Sequence, residues 1–229
     1  SGVDYNRAGV PLMEIVTGFN PETGKPDIET PEEAREYLVQ LRQILLYLGV
    51  CDGKMEEGSL RAEPNISIRP SGSDELGVKT ELKNLGSFRS VTLGIAYEVR
   101  RQSAELDGGG AIYQETRGWN EAQERSYLMR VKESENDYRY FPCPDLVPME
   151  FAPEYIEALR AGLPELPLAR RTRYLTSFGL SEQEADVLVN DLPWADWFER
   201  AVAAGGEPKA VWNWMNADFA GVLNRDGVA

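Results

Sequence analysis

The sequence changes its pattern near residue 150, and this change limits the fold more than any other feature. Beyond it, prolines stand where helices are expected to begin, because proline's fixed φ angle and missing N–H suit a first helical turn. These prolines are Pro153, Pro167, Pro193 and Pro208. Before residue 150, helical periodicity alternates with strand-like runs. The sequence therefore predicts an α+β domain over residues 1–150 and an all-α helical domain over residues 151–229, with a linker near Pro142–Pro153.

Two helices are indicated within the α+β part. Thr30, Pro31 and Glu33 form a capping-box sequence, in which side chains satisfy the free backbone groups of the first turn. Apolar residues at helical spacing follow until Gly49, a residue that favours the end of a helix. A second helix is predicted over residues 87–107, and Ser87 is its expected N-cap. We interpret the first helix as a packing element.

Five strand-like runs complete the α+β part, and we expect an antiparallel sheet that packs against the helices. The runs are Val10–Val16, Asn65–Arg69, Val78–Lys83, Ile112–Arg117 and Ser126–Val131. In the third run, strand alternation places Lys79, Glu81 and Lys83 on one face. Such a face is usually solvated and crossed by ion pairs, but beside an acidic loop it can instead hold a nucleotide phosphate.

Histidine is absent from the sequence, which removes the commonest general base and the commonest zinc ligand. The two cysteines, Cys51 and Cys143, lie far apart, and we interpret them as reduced thiols of a cytoplasmic protein. No apolar run is long enough to cross a membrane, so no membrane partner is expected. Any chemistry must therefore use carboxylate, lysine, arginine or tyrosine side chains and a hard metal ion.

The formal net charge is −14, which argues against a general nucleic-acid surface, because phosphate binding needs a concentrated basic field. The acidity is not confined to one tail. Residues 151–229 carry 12 acidic and 7 basic residues, and residues 1–150 carry 26 and 17. We expect no DNA partner, and any contact with RNA must be local or be made by other subunits or segments.

The run Met55–Arg61 places two adjacent carboxylates, a glycine, a hydroxyl and a guanidinium directly after the first predicted helix. Carboxylates can hold a hard cation, and an arginine can bind phosphate or carboxylate with two hydrogen bonds. The alternative is a solvated acidic turn. Glu14 leaves a similar choice open. A carboxylate buried in an apolar strand is costly unless it is paired or binds a cation, whereas on a half-buried strand it simply faces solvent.

Five motifs, in order along the chain, resemble the GatB/GatE family, the B subunits of aspartyl/glutamyl-tRNA(Asn/Gln) amidotransferases. They are Val3–Val16 (VDYNRAGVPLMEIV), Met55–Arg61 (MEEGSLR), Glu81–Leu85 (ELKNL), Gln114–Arg117 (QETR) and Asp137–Pro142 (DYRYFP). The resemblance implies that residues 1–150 are the C-terminal part of the family's cradle domain, which holds the kinase and transamidase site. It also implies that residues 151–229 begin the helical domain and that the chain is truncated at both ends.

In that family, the B subunit uses ATP to activate the side-chain carboxylate of a misacylated Glu-tRNA(Gln) or Asp-tRNA(Asn). Ammonia released from glutamine by the A subunit then converts the acyl phosphate to the amide, and a small C subunit connects the two. The resemblance thus implies a ligase with ATP and Mg²⁺ as cofactors, and with the A subunit, the C subunit and misacylated tRNA as partners. We expect the 229-residue chain alone to be inactive.

Two other functions stay open. One is a non-catalytic assembly and tRNA-docking scaffold in the same complex. The other is a stand-alone ATP-dependent carboxylate–amine ligase, although such an enzyme would need a complete nucleotide site and the sequence has no Walker-type phosphate loop.

The resemblance assigns one metal ligand, because Glu14 aligns with a magnesium-ligand glutamate of the family. Its usual co-ligands, including a histidine, are expected in a segment that precedes Ser1. The remaining candidates follow from the chemistry, since phosphoryl transfer to a carboxylate must bring two anions together. The candidate catalytic residues are Arg61, Lys83 and Glu57, and the candidate substrate-binding residues are Glu56, Glu63, Asn84 and Arg139. Two departures from the family pattern affect this site: Ala62-Glu63 replaces Cys-Asp, and Gly86 replaces Asn.

Overall fold

The computed structural model describes residues 9–20, 22–73, 75–131 and 147–227. Eight α-helices lie in these ranges, and a π-helical turn, Met215–Phe219, joins the last two. The helices are α1 (Pro31–Tyr47), α2 (Phe88–Asp107), α3 (Pro153–Ala161), α4 (Pro167–Ser177), α5 (Glu182–Asn190), α6 (Leu192–Ala203), α7 (Pro208–Trp214) and α8 (Ala220–Asp226). The predicted combination of an α+β part and a following helical part is confirmed.

Within the same ranges, six short strands form two sheets. The strands are β1 (Phe19–Asn20), β2 (Lys25–Pro26), β3 (Asn65–Ile66), β4 (Thr80–Lys83), β5 (Glu115–Asn120) and β6 (Arg125–Val131). β1 and β2 form a hairpin, and the larger sheet has the order β3-β4-β5-β6. Its outer pairs are antiparallel, as predicted, but β4 and β5 are parallel. The sheet is mixed because α2 connects β4 to β5 as a crossover, which returns the chain in the same direction.

The predicted helix starts are confirmed. The Thr30 hydroxyl accepts a hydrogen bond from the Glu33 backbone N–H at 3.1 Å, and the Glu33 carboxylate accepts one from the Thr30 N–H at 3.1 Å. Ser87 caps α2 by accepting from the Ser90 N–H at 3.0 Å. The four prolines predicted to begin helices, Pro153, Pro167, Pro193 and Pro208, all stand in first helical turns. These features form as predicted because each depends on neighbours within one turn.

The first hydrophobic core lies between α1, α2 and the larger sheet. Its centre contains Leu82 from β4 and Val91 from α2, both almost completely buried. Gly94 allows α2 to approach the sheet closely, because a Cβ atom there would stand 2.7 Å from the Leu82 side chain. The outer face of the sheet is thereby left to polar residues.

The second hydrophobic core lies among α4, α5, α6 and α7. Its fully buried side chains include Tyr174, Leu188 and Phe198, and the rings of Tyr174 and Phe198 meet edge to face with centroids 5.5 Å apart. The first part of the linker predicted near Pro142–Pro153 lies outside the described residues, because residues 132–146 are not among them. The domain boundary at residue 150 therefore stays a prediction.

The two cores touch where α1 ends. The Tyr47 hydroxyl donates a hydrogen bond to the Val189 carbonyl at 3.1 Å, and the Arg170 guanidinium lies 5.6 Å from the centroid of the Tyr47 ring. Asp196 and Glu199 hold the same guanidinium at 2.6 and 2.7 Å. A single residue of α1 thus contacts both the backbone and a buried cation of the helical part.

The strand predicted over Val10–Val16 is wrong. The structure has no strand there, and the apolar side chains are exposed, Leu12 to 90%. A strand needs a neighbouring backbone to hydrogen bond with, and none of the described residues pairs with this run. Glu14 is exposed as well, so the burial argument for a cation beside it does not apply. The hairpin strands β1 and β2 were not predicted. The other predicted strands form with different bounds, with β3 shorter and β5 shifted toward Asn120.

Candidate functional site

The acidic motif forms a tight turn after α1. Its backbone closes through hydrogen bonds from Ser59 N–H to the Lys54 carbonyl and from Gly58 N–H to the Met55 carbonyl, both at 3.0 Å. Gly58 has a φ of +77°, a conformation that favours glycine. Met55 and Leu60 are buried in the first core and anchor both ends of the turn. The charged side chains between these anchors are therefore presented to solvent.

Local contacts already balance part of this charge. Glu57 pairs with Lys54 at 2.8 Å, and its hydrogen bond and negative charge raise the pKa of Lys54. Hydrogen bonds from the Ser59 side chain and the Lys54 backbone lower the pKa of Asp52. Glu56 and Arg61 are exposed and make no ion pair with the described residues. Arg61 is thus accessible to a phosphate or a carboxylate.

A second polar group lies on the outer face of the larger sheet, and we call it the Lys83 cluster: Lys83, Glu63, Glu81 and Thr116. The Lys83 ammonium hydrogen bonds to the Glu63 carboxylate and lies 2.9 Å from Oε1 of Glu81. Thr116 donates to the other oxygen of Glu81 at 2.9 Å. Burial lowers the pKa of Lys83, but the hydrogen bonds to both glutamates outweigh it and leave that pKa above its usual value. The ammonium is therefore charged at neutral pH.

Asn84 follows Lys83 directly at the end of β4. It has a φ of +63°, and its side-chain amide donates to the Tyr127 hydroxyl at 3.2 Å. The Tyr127 ring covers Gly118, where a Cβ atom would lie 2.4 Å from the ring. The amide is thus fixed beside the Lys83 cluster by a residue of β6.

The inner face of the sheet carries a separate ion network around the buried Glu98, which was not predicted from the sequence. Glu98 of α2 accepts hydrogen bonds from Arg101 at 2.8–3.1 Å and lies 3.3 Å from Arg117. Glu115 pairs with both arginines, at 3.3 and 2.9 Å. Two carboxylates thus balance two guanidinium groups. The signal was present, because residue 98 continues the buried stripe of α2 that includes Ile95.

The predicted site residues are only partly brought together. Lys83 and Glu63 are in contact, and Asn84 is adjacent, but the described contacts do not link Glu14, Glu56, Glu57 or Arg61 to the Lys83 cluster. No three Asp, Glu, Cys or His side chains in the described ranges are placed to hold a metal ion. Arg139 lies outside the described residues. Thr116 was missed, although it belongs to the motif Gln114–Arg117.

An open cleft lies elsewhere, on the helical part. It has a volume of about 770 Å³ and is lined by α6 residues that include Asp196 and Arg200. An adjacent groove contains the parallel rings of Trp197 and Phe219, with centroids 5.4 Å apart. Neither cavity includes a predicted site residue.

The fold defines the class of this protein: an α+β domain, whose larger sheet carries polar residues on one face, is followed by a helical part. Residues 1–157 match the family model of the GatB/GatE catalytic domain. The chain therefore belongs to the GatB/GatE family.

Its relatives include three proteins that are each named as the B subunit of an aspartyl/glutamyl-tRNA(Asn/Gln) amidotransferase. The protein of Brevibacillus brevis is 50% identical over 226 residues, which are 99% of this chain and 46% of the relative. The protein of Geobacillus kaustophilus is 52% identical over 98% of this chain and 46% of the relative. The protein of Solidesulfovibrio magneticus is 51% identical over 100% of this chain and 47% of the relative. The chain thus spans about half the length of these relatives. Within the described residues, no helix combines the length and the apolar character needed to span a bilayer.

Proposed function

We propose that this chain is part of a tRNA-dependent amidotransferase subunit that activates a carboxylate with ATP. The substrate is the side-chain carboxylate of Glu-tRNA(Gln) or Asp-tRNA(Asn), and the acyl phosphate becomes an amide with ammonia from glutamine. The family and the names of the relatives support this reaction. The partners proposed are the A subunit as the source of ammonia, a connecting C subunit, and the misacylated tRNA.

One observation carries the proposal, namely the ammonium of Lys83 on the outer sheet face. Its described contacts use two of the three N–H donors of an ammonium group, to Glu63 and Glu81. The remaining donor is directed by these two contacts and takes an oxygen of the transferring phosphoryl group. Fixed cations of this kind stabilise the charge of the transition state. Lys83 is therefore the proposed catalytic cation.

The other candidates have supporting roles in this proposal. Arg61 is exposed and binds the substrate carboxylate or phosphate with its paired N–H groups. Asn84, Glu63, Glu56 and Arg139 are proposed to bind substrate, and Glu57 to position it through Lys54. No histidine base is required, because the attacking carboxylate is already ionised at neutral pH.

Magnesium is proposed as the companion of ATP, with Glu14 as one ligand. This ion prefers six oxygen ligands in octahedral geometry, and the described residues do not assemble three side chains suited to a metal. These residues do not fit a complete magnesium shell, and no reaction step is assigned to the ion. The second candidate function is a scaffold that assembles the complex and docks tRNA.

The experiment uses the variant Lys83→Met in the full-length protein assembled with its partner subunits. Methionine is unbranched and of similar length to lysine, but it lacks the charged ammonium group. We expect phosphorylation of Glu-tRNA(Gln) by ATP to fall by roughly 100-fold, the scale for loss of one electrostatic contact. Lys25→Met is the matched control, because Lys25 lies on the exposed strand β2 and pairs with Glu29. The complex with this variant should phosphorylate Glu-tRNA(Gln) at the normal rate.

Glutamine hydrolysis on the same samples reports whether the complex has assembled. Normal phosphorylation by Lys83→Met would remove Lys83 from the catalytic machinery and favour the scaffold function.

A further inference from the structure

The geometry points to Thr116 as a positioning residue for the Lys83 ammonium, acting through Glu81. The inference rests on the proposed function, in which Lys83 contacts the phosphoryl group. It adds a residue of β5, whose hydroxyl touches no substrate but determines where the ammonium stands.

The parallel pairing of β4 and β5 brings these residues together. Glu81 is in register with Thr116, and Lys83 with Gly118. Residues in register on neighbouring strands project from the same face of a sheet. Thr116 and Glu81 are therefore direct neighbours on the outer face, two positions along the strands from Lys83.

Thr116 fixes one oxygen of the Glu81 carboxylate. The threonine is only 1% exposed, and its single O–H donates to Oε2 of Glu81 at 2.9 Å. Arg130 of β6 approaches the same hydroxyl oxygen, with Nε 3.4 Å away. Because the hydroxyl proton is committed to Oε2, the carboxylate is held with Oε1 toward the Lys83 ammonium.

Without this constraint, the ammonium would follow Glu63. The Glu63 side chain is 42% exposed, whereas that of Glu81 is 16% exposed. An exposed glutamate has rotameric freedom, so it cannot by itself fix the position of a bound lysine. The buried chain Thr116–Glu81 supplies the rigid support that a catalytic cation needs, since an error of about 1 Å in placement costs much of its effect.

The test compares Thr116→Val, which removes the hydroxyl at nearly constant volume, with Thr116→Ser, which keeps it. In the assembled complex, Thr116→Val should lower kcat for phosphorylation of Glu-tRNA(Gln) by about tenfold, with little change in the KM for ATP, because the lost support acts on the transition state. Thr116→Ser keeps the hydroxyl, so its phosphorylation rate should stay within about twofold of that of the unchanged protein.

Thr80→Val is the matched control. Thr80 lies on β4, is completely buried, and its hydroxyl has no hydrogen-bond partner within the described part of the chain. The same chemical change there should leave phosphorylation unaltered. Glu81→Gln provides a second variant if Thr116→Val folds poorly, and it should lower kcat in the same way.

The double variant Lys83→Met/Thr116→Val separates this inference from the function on which it rests. If Thr116 acts through Lys83, the double variant should be no slower than Lys83→Met. Normal phosphorylation by Lys83→Met would overturn the proposed role of Lys83. A slow Lys83→Met with normal rates for folded Thr116→Val and Glu81→Gln would overturn the positioning role alone.

Discussion

Glu98 is completely buried, and two guanidinium groups balance its charge. Arg101 contacts it from one turn further along α2, and Arg117 contacts it from β5. Ser126 of β6 also donates a hydrogen bond to this carboxylate. One side chain thus connects a helix to two strands.

Removing this charge should destabilise the fold strongly. We expect Glu98→Gln to lower the free energy of unfolding by about 3 kcal/mol, because two partly buried guanidinium groups would then share the single carboxylate of Glu115. Urea denaturation gives the value. Glu105→Gln on the exposed side of α2 is the control and should change stability by less than about 0.5 kcal/mol. Equal stability of both variants would show that the network contributes nothing.

The placement of single residues could be predicted only where the signal was local. Strand alternation predicted that Lys83 and Glu81 share one face, and the structure has both side chains on the outer face of the sheet. The contact between Thr116 and Glu81 was not predicted, because the two residues are 35 positions apart in sequence. Glu14 was interpreted from an assumed strand, and its argument failed with that strand.

Among whole elements, α1 and α5 share a device at their first turns. Ser181 and Glu184 repeat in α5 the reciprocal capping bonds that Thr30 and Glu33 form in α1. A capping box satisfies backbone N–H groups that would otherwise lack a partner. Each helix start is thereby fixed by two side chains.

The cap of α1 should contribute measurably to stability. Thr30→Ala removes the hydroxyl acceptor, and we expect a loss of about 1 kcal/mol in the free energy of unfolding. Thr30→Ser keeps the acceptor and should retain most of that stability. Thermal and urea unfolding of both variants provide the measurement. A Thr30→Ala protein as stable as the serine variant would contradict a capping role.

Elements were predicted well or poorly according to the range of their interactions. Helix starts depend on residues within one turn, so α1, α2 and the proline-led helices could be read directly. Strands depend on partners that are distant in sequence. The run Val10–Val16 has strand composition but no described partner, and the parallel direction of β5 follows from the α2 crossover, which no strand pattern encodes.

In the molecule as a whole, the described residues join the two cores at the end of α1. Tyr47 meets Val189 through its hydroxyl and Arg170 through its ring. The acidic turn begins eight residues after this joint. The helical part is therefore in direct contact with the helix that precedes the acidic turn.

The interaction between Tyr47 of the first core and Arg170 of the second can be measured with a double-mutant cycle. We expect Tyr47→Leu and Arg170→Met to show an interaction free energy of about 1 kcal/mol, because the cation and the ring are in contact. Arg171→Met is the control, since Arg171 lies on the same helix but pairs with Asp186 of α5. It should be additive with Tyr47→Leu. Additivity of the Arg170 pair in urea denaturation would mean that the contact between this cation and the Tyr47 ring contributes nothing to the joint between the cores.

The crossover through α2 also sets the order in which the protein acquires its candidate site. Lys83 and Thr116 lie on strands that can pair only after the intervening chain has returned to the sheet, and closing so long a loop has an entropic cost before any contact forms. The caps and helices need no such closure. We therefore expect the Lys83 cluster to assemble late in folding, so that a chain with complete helices can still lack the geometry on which the proposed chemistry depends.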